Sequence, residues 1–390
     1  MTPSEKYVAT LCEESFLPFW SFANPIGKKG KELCDVLVVC GNIIIIISVK
    51  DIRVSENNDV LLQYDRWVKK AIHDSINQIH GAERYLSTVD EVLLKNKKTN
   101  VKLPDKKNRI IHRIAIAFGS PPTFPLPTGQ FDKGYVHVFD EIATSTILTE
   151  LDTIVDFTNY LTAKREFITN KTILIPNEVD FLAYYIQTGL EGDIPSNALI
   201  VGEYLWKDYI NSDEYSKWLD DIRGSYIWDN MIHYIHSYHI TDSTSNEKRD
   251  ELEEAIRTIN LEPRMNRIEL GSVLNNAIER KVKARILKPI NNDEHAYVFM
   301  PLTDKNWEEK KGELELRCMV ARYENPTAKK IIEISIGGNS KGDSCFDICT
   351  LFIPEMDEDF IRDVMEIKKN LGYFTNTVFS RSREFRKIYT

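Results

Sequence analysis

The chain has 390 residues, 42% hydrophobic and 28% charged, which is the make-up of a folded protein of two or three domains and excludes a fibrous or disordered chain. A formal net charge of −9 excludes a nucleic-acid coat held by bulk charge, but not an enzyme whose basic residues line one groove. The six cysteines form no C-x-x-C pair, and Cys345-x3-Cys349 has no neighbouring histidine, so a zinc site is not expected and a reducing cytoplasm fits.

The N-terminus is polar, with no apolar h-region, so no signal peptide is expected, and the isoleucine run at 43–47 is too short to cross a bilayer. Pro3-Ser4-Glu5 opens a predicted helix whose stripe is Tyr7, Val8, Leu11, Cys12 and Ser15, with Glu14 leaning toward it. Two β-rich runs follow, at 32–40 and 43–50, separated by Gly41-Asn42, and they read as a hairpin. Asp35 near the start of one strand and Lys50 at the end of the other then lie at the same hairpin end. Alternation puts Ser48 and Lys50 on one face.

A polar loop at 55–59 leads into a long helical pattern reaching about Thr88, with Tyr64, Trp67, Ala71, Ser75, Gln78, Ala82 and Tyr85 on one face. Ser75 and Gln78 are the polar exceptions on that apolar face, and buried polar groups need partners. The partner is either the sheet edge or, for Gln78, the Asp35–Lys50 end of the hairpin, and the second is the one expected. Residues 95–108 read as a lysine-rich loop, 109–119 and 134–140 as strands joined by a proline-rich loop at 121–127, and 152–167 as a helix capped by Asp152-Thr153.

Asp35, Ser48 and Lys50 resemble the signature of the PD-(D/E)xK, or restriction-endonuclease-like, nuclease superfamily: an acid on one strand, then acid-any-Lys on the next. Ser48 stands where the second acid is expected, as in members that carry Ser-Val-Lys and recruit an acid from the following helix. The resemblance covers roughly the first 90 residues. It implies a mixed sheet flanked by helices, Mg²⁺ (or Mn²⁺) held by Asp35 and a second carboxylate, and catalysis by Lys50 with Ser48 and Gln78 in support. Glu14 is a further candidate ligand, since similar nucleases draw an acid from the first helix. On the long helix Asp74 lies about 40° from Gln78, whereas Asp65 and Glu83 lie about 140° away, so Asp74 is the better substitute acid. Glu32, on the other strand face by alternation, is less favoured.

The second half differs in character. Residues 203–240 hold Trp206, Trp218 and Trp228 and the histidines His233, His236 and His239, which fall on different sides of a helix and read as structural. A polar gap at 241–249 is the linker candidate. Helices are expected at 248–260 and 268–285, strands at 295–302, 314–323, 330–337 and 345–353, and a last helix at 357–370. Two basic runs, Arg264, Arg267, Arg280, Lys281, Lys283, Arg285 and Lys288, then Arg381, Arg383, Arg386 and Lys387, are candidate nucleic-acid faces. No Walker A or G-x-G-x-x-G loop occurs.

The expected fold is thus mixed α/β: a restriction-endonuclease-like sheet over 1–170, a helical, aromatic-rich connection over 171–245, and a second α/β domain over 246–390. The layout looks like bacterial anti-phage defence nucleases and effectors. That implies a cytoplasmic, metal-dependent nuclease acting on DNA, or on RNA. No membrane partner is expected, and a homo-oligomer or protein partner could control it. The alternative is a catalytically impaired binding or scaffold protein on the same fold.

Overall fold

The hairpin expected from the Gly41-Asn42 turn is the centre of the first sheet. In the computed structural model the described residues are 1–54, 59–121, 124–131, 133–169, 172–190, 198–239, 246–290, 292–301, 307–338 and 344–375. Most of the polar loop at 55–59, residues 122–123 of the proline-rich loop, residues 241–245 of the polar gap, and Arg381, Arg383, Arg386 and Lys387 lie outside them. The chain divides into two compact units with the boundary between Ser216 and Lys217, so the stretch 171–245 is shared between the two. The architecture is mixed α/β in both.

The first unit begins with α1 (Pro3–Phe16), where Thr2 and Glu5 form a reciprocal capping box. Then come β1 (Ser21–Ala23), β2 (Val36–Cys40) and β3 (Ile43–Asp51). α2 (Val60–Trp67) runs through a π-helical turn, Val68–His73, into α3 (Asp74–Leu86). A small hairpin, β4 (Glu91–Leu93) and β5 (Asn100–Lys102), places its second strand within the lysine-rich stretch expected as loop. β6 (Ile110–Phe118), β7 (Gly129–Phe131) and β8 (Gly134–Phe139) complete the main sheet in the order β1-β2-β3-β6-β8-β7. β3, β6 and β8 pair in parallel while both edges are antiparallel, which makes the sheet mixed.

Both faces of such a sheet must be covered, hence the unbroken apolar runs Val36–Cys40 and Ile44–Ile47. Ile44, Ile46, Ala115, Ala117, Val136 and Val138 pack with Trp67, Ala71, Ile72, Ile76, Ile79 and Leu86 of the long helix. Alternation sends Ile45, Ile47 and Val49 to the other face. That face is covered by α1, α4 (Glu141–Glu150) and α5 (Ile154–Thr169), and Thr153 accepts a hydrogen bond from the Asp156 N–H to cap α5. β9 (Thr172–Leu174), α6 (Glu178–Thr188), β10 (Ala198–Ile200) and α7 (Leu205–Ile210) finish the unit, and α8 (Asp213–Ile222) spans the boundary.

The second unit contains α9 (Tyr226–His239), α10 (Asn246–Asn260), α11 (Arg264–Glu279), β11 (Arg285–Leu287), β12 (His295–Pro301), α12 (Trp307–Glu324), β13 (Lys330–Gly338), β14 (Ser344–Phe352) and α13 (Glu358–Leu371). Its sheet order is β11-β12-β13-β14, with only β12 and β13 parallel. The expected strand at 314–323 is instead the body of α12. Leu314, Cys318 and Ala321 recur at helical spacing and bury against Ala296, Val298 and Met300, so the 3.6-residue period outweighs the apolar density of Leu316–Ala321. His233 is exposed; the side chains of His236 and His239 lie outside the described residues.

The basic run after residue 264 divides. Arg264 and Arg267 are buried: Nη1 of each donates to Asp229, at 2.5 and 3.1 Å, and they are structural rather than a nucleic-acid face. Arg280, Lys281 and Lys283 are exposed, Arg285 donates to Asn276 at 3.1 Å, and Lys288 pairs with Asp293 at 3.6 Å.

Candidate active site at the end of the hairpin

Asp35 immediately precedes β2, one step beyond the register pair Val36↔Ile47, and so sits opposite Ser48. Its own N–H donates to the Ile47 carbonyl at 3.1 Å, and its Oδ2 accepts the Val49 N–H at 2.6 Å. The main-chain donor between Ser48 and Lys50 thus fixes the Asp35 carboxyl. Ser48 and Lys50, two apart on β3, both point to the long-helix face. Ser48 Oγ donates to Gln78 Oε1 at 2.9 Å, and Lys50 Nζ donates to the same oxygen at 3.0 Å. The four residues expected at this end are therefore together. Ser75, the other polar residue of that helix face, is satisfied locally by the Ala71 carbonyl at 2.9 Å.

Asp35 is only 2% exposed, and burial raises its pKa from 3.8 to about 6 against the opposing pull of the Val49 N–H and the Lys50 charge. The neighbouring Glu32 carboxyl and, more weakly, Glu5 push it further up. Three acids therefore influence this end of the sheet, and two of them differ from those expected. Glu14 is exposed near the far end of α1, about 13 Å along the axis from Glu5. The buried stripe of α1 is Ser4, Val8, Cys12 and Ser15, rotated away from Tyr7 and Leu11, and this leaves Glu14 outside it. Glu5 occupies the first turn, where the neighbouring Ser4 hydroxyl donates to Asp51 Oδ2 at 3.2 Å and ties the helix start to the end of β3.

Asp74 is exposed one turn before Gln78, and among the described residues it makes no hydrogen bond or ion pair with Asp35, Ser48 or Lys50. Glu32 takes its place beside Asp35. Alternation does not carry back to Glu32, because β2 begins only at Val36 and Glu32 bridges instead to Ile26. The T-x-x-E capping signature places Glu5 in a first turn from sequence, yet says nothing of what that turn packs against. Asn24 also touches this end of the sheet. Its N–H donates to the Asp35 carbonyl at 2.9 Å, its φ is +49°, and its buried side-chain amide has no partner among the described residues.

Asp35 and Glu32 supply hard oxygen donors. The Glu32 carboxyl disfavours the charged form of Asp35, and a divalent cation beside the two would relieve that. Mg²⁺ is commonly held by one or two carboxylates plus substrate phosphate and water, so the pair fits it, and Mn²⁺ as well. Among the described residues no cluster of three or more metal-type side chains is present. No protein-family model matches the chain, and neither does any curated protein. Among the described residues no helix is long and apolar enough to cross a membrane.

Proposed function

We propose that the first unit is a Mg²⁺- or Mn²⁺-dependent nuclease of the PD-(D/E)xK type, hydrolysing phosphodiester bonds of DNA, or of RNA, in the cytoplasm of a bacterium as part of defence. The observation that carries this reading is the convergence of Lys50 and Ser48 on Gln78 at the sheet end where Asp35 is buried and held by the Val49 N–H. Asp35 and Glu32 would hold the cation, which would supply Lewis-acid polarisation of the scissile phosphate when bound.

The chain's own groups do the rest. Gln78 positions the Lys50 ammonium with a neutral oxygen, so the positive charge is oriented without being cancelled. Lys50 then faces the charge that builds on the phosphate oxygens and orients the attacking water. Ser48 anchors Gln78 from the other side, and the Val49 N–H keeps the Asp35 carboxyl aimed. Control by self-association or by a protein partner belongs to the same reading.

The test is cleavage of supercoiled plasmid and of single-stranded DNA and RNA with Mg²⁺ or Mn²⁺. Wild type should cut, and Asp35→Asn and Lys50→Ala should each lose about 100-fold or more. Equal cutting by wild type and Lys50→Ala would remove the proposal.

One observation favours a second reading, a nucleic-acid-binding protein without catalysis. Ser48, where the second acid is expected, is fully buried and engaged with Gln78. Nucleic-acid binding with no cutting under either metal would select it.

A further inference from the structure

The second unit carries a groove of about 700 Å³. It is framed by the C-terminal end of α11, the end of β12, the first turns of α12 and the residues after α13. Its described lining includes four cationic side chains, Lys281, Lys283, Lys310 and Arg317, against one carboxylate, Glu313. That carboxylate is already engaged. Arg317 Nε and Nη2 donate to its Oε1 at 3.0 and 2.6 Å, and Lys310 bonds its Oε2. Against burial, which would raise it, these two cations hold the Glu313 carboxyl below its ordinary range. Lys281 and Lys283 make no ion pair among the described residues, so positive charge is left over.

The Arg317 side chain is 9% exposed, and its guanidinium carbon lies 3.9 Å from the Tyr373 ring centroid, with Phe374 behind at 5.6 Å. A stacked, carboxylate-braced guanidinium is rigid, which suits planar recognition of a phosphate group. Lys281 holds the left-handed position that ends α11 (φ +51°), a place that glycine fills at lower cost. The volume is far more than a bare phosphate ion needs and falls within the range of small-ligand sites. Half-buried Tyr373 and Phe374 give the groove aromatic surface beside its cations. Cations and aromatic rings side by side are what a phosphate joined to a base requires.

We propose that this groove binds a nucleoside phosphate, either a free nucleotide or one nucleotide of a strand. The site is independent of the nuclease reading. It uses none of the Asp35–Lys50 residues and requires no metal.

The experiment is equilibrium binding by the full-length chain in EDTA, so that no cleavage intervenes, with two probes: ATP by calorimetry, and a labelled single-stranded oligonucleotide of about 12 nucleotides by anisotropy. Lys283→Glu is compared with Lys329→Glu, an exposed lysine of the same unit outside the groove that changes net charge equally. Both substitutions are at exposed positions, and thermal unfolding confirms that both variants fold. Binding that falls about tenfold or more in Lys283→Glu, but less than twofold in Lys329→Glu, is expected. ATP binding identifies a free nucleotide as the ligand, and oligonucleotide binding alone identifies a strand. Equal losses in the two variants, or no binding of either probe by wild type, overturn the proposal.

Discussion

The two faces of the first sheet each hold a lysine and an acid, and they treat them in opposite ways. On the face covered by α1, α4 and α5, Lys164 of α5 is fully buried, bonds Glu178 Oε2 and lies 5.4 Å from the Phe139 ring, while Tyr160 donates to Glu178 Oε1. The Lys164 charge there is met inside the protein by a carboxylate. Burial lowers the Lys164 pKa and the Glu178 carboxylate opposes that shift. At the hairpin end Lys50 instead meets a neutral amide, and Asp35 meets a main-chain N–H. Opposite charges held near one another but not joined are available to a third group, a cation or a phosphate. A closed pair is structure, whereas an open one can do chemistry.

The largest expected effect tests the closed side. Glu178→Gln leaves the Lys164 ammonium buried without a counter-charge and should cost about 3–5 kcal/mol in urea unfolding. A loss under 1 kcal/mol would mean that the two faces are alike. Lys50→Ala, on the open side, should change stability by less than about 1 kcal/mol while abolishing cutting.

Asp35 gives the next effect, with the opposite sign. Its folded pKa of about 6 lies above the ordinary 3.8, so ionising it weakens the fold. The penalty is absent below about pH 4, grows as pH rises through 4 to 6, and is complete above 6. Asp35→Asn keeps an acceptor for the Val49 N–H and should be more stable than wild type by up to about 3 kcal/mol near pH 8, with the gap closing toward pH 4. Mg²⁺ should narrow the gap by stabilising wild type alone, and a pH-independent gap would show that Asp35 does not titrate in this window.

The smallest effect sharpens the roles at the open site. Gln78→Ala removes the shared acceptor of Ser48 and Lys50, and should cost about 1 kcal/mol with a roughly tenfold loss of cutting. Gln78→Glu should slow cutting further, because it would close the pair with Lys50.

Local chemistry made much of this legible. The Gly41-Asn42 turn between two β-rich runs determines the hairpin, and with it the shared end of Asp35 and Lys50. Helical spacing determines that Gln78 lies on the buried face of the long helix, a face that survives the π-helical turn at Val68–His73. Strong periodicity likewise set most elements of the second unit. At 314–323 apolar density reads as a strand and masks the helical stripe Leu314, Cys318 and Ala321.

Which acids reach the site was not written locally. Helix angle points to Asp74 and the family resemblance to Glu14, but neither says which end of a helix meets the sheet. The packing of the α1 start against the end of β3 brought Glu5 near, and the backbone path before Val36 brought Glu32. The same limit holds for the basic run after residue 264, where the Asp229 carboxylate, together with Ser225, Asn260 and the Glu262 carbonyl, holds Arg264 and Arg267 inward. Sequence by itself determined the turn, the strands and the faces, because these depend on neighbours within about four residues. Tertiary structure alone decided which charges are buried, paired or left open, because desolvation and Coulomb energy depend on distances between segments far apart in the chain.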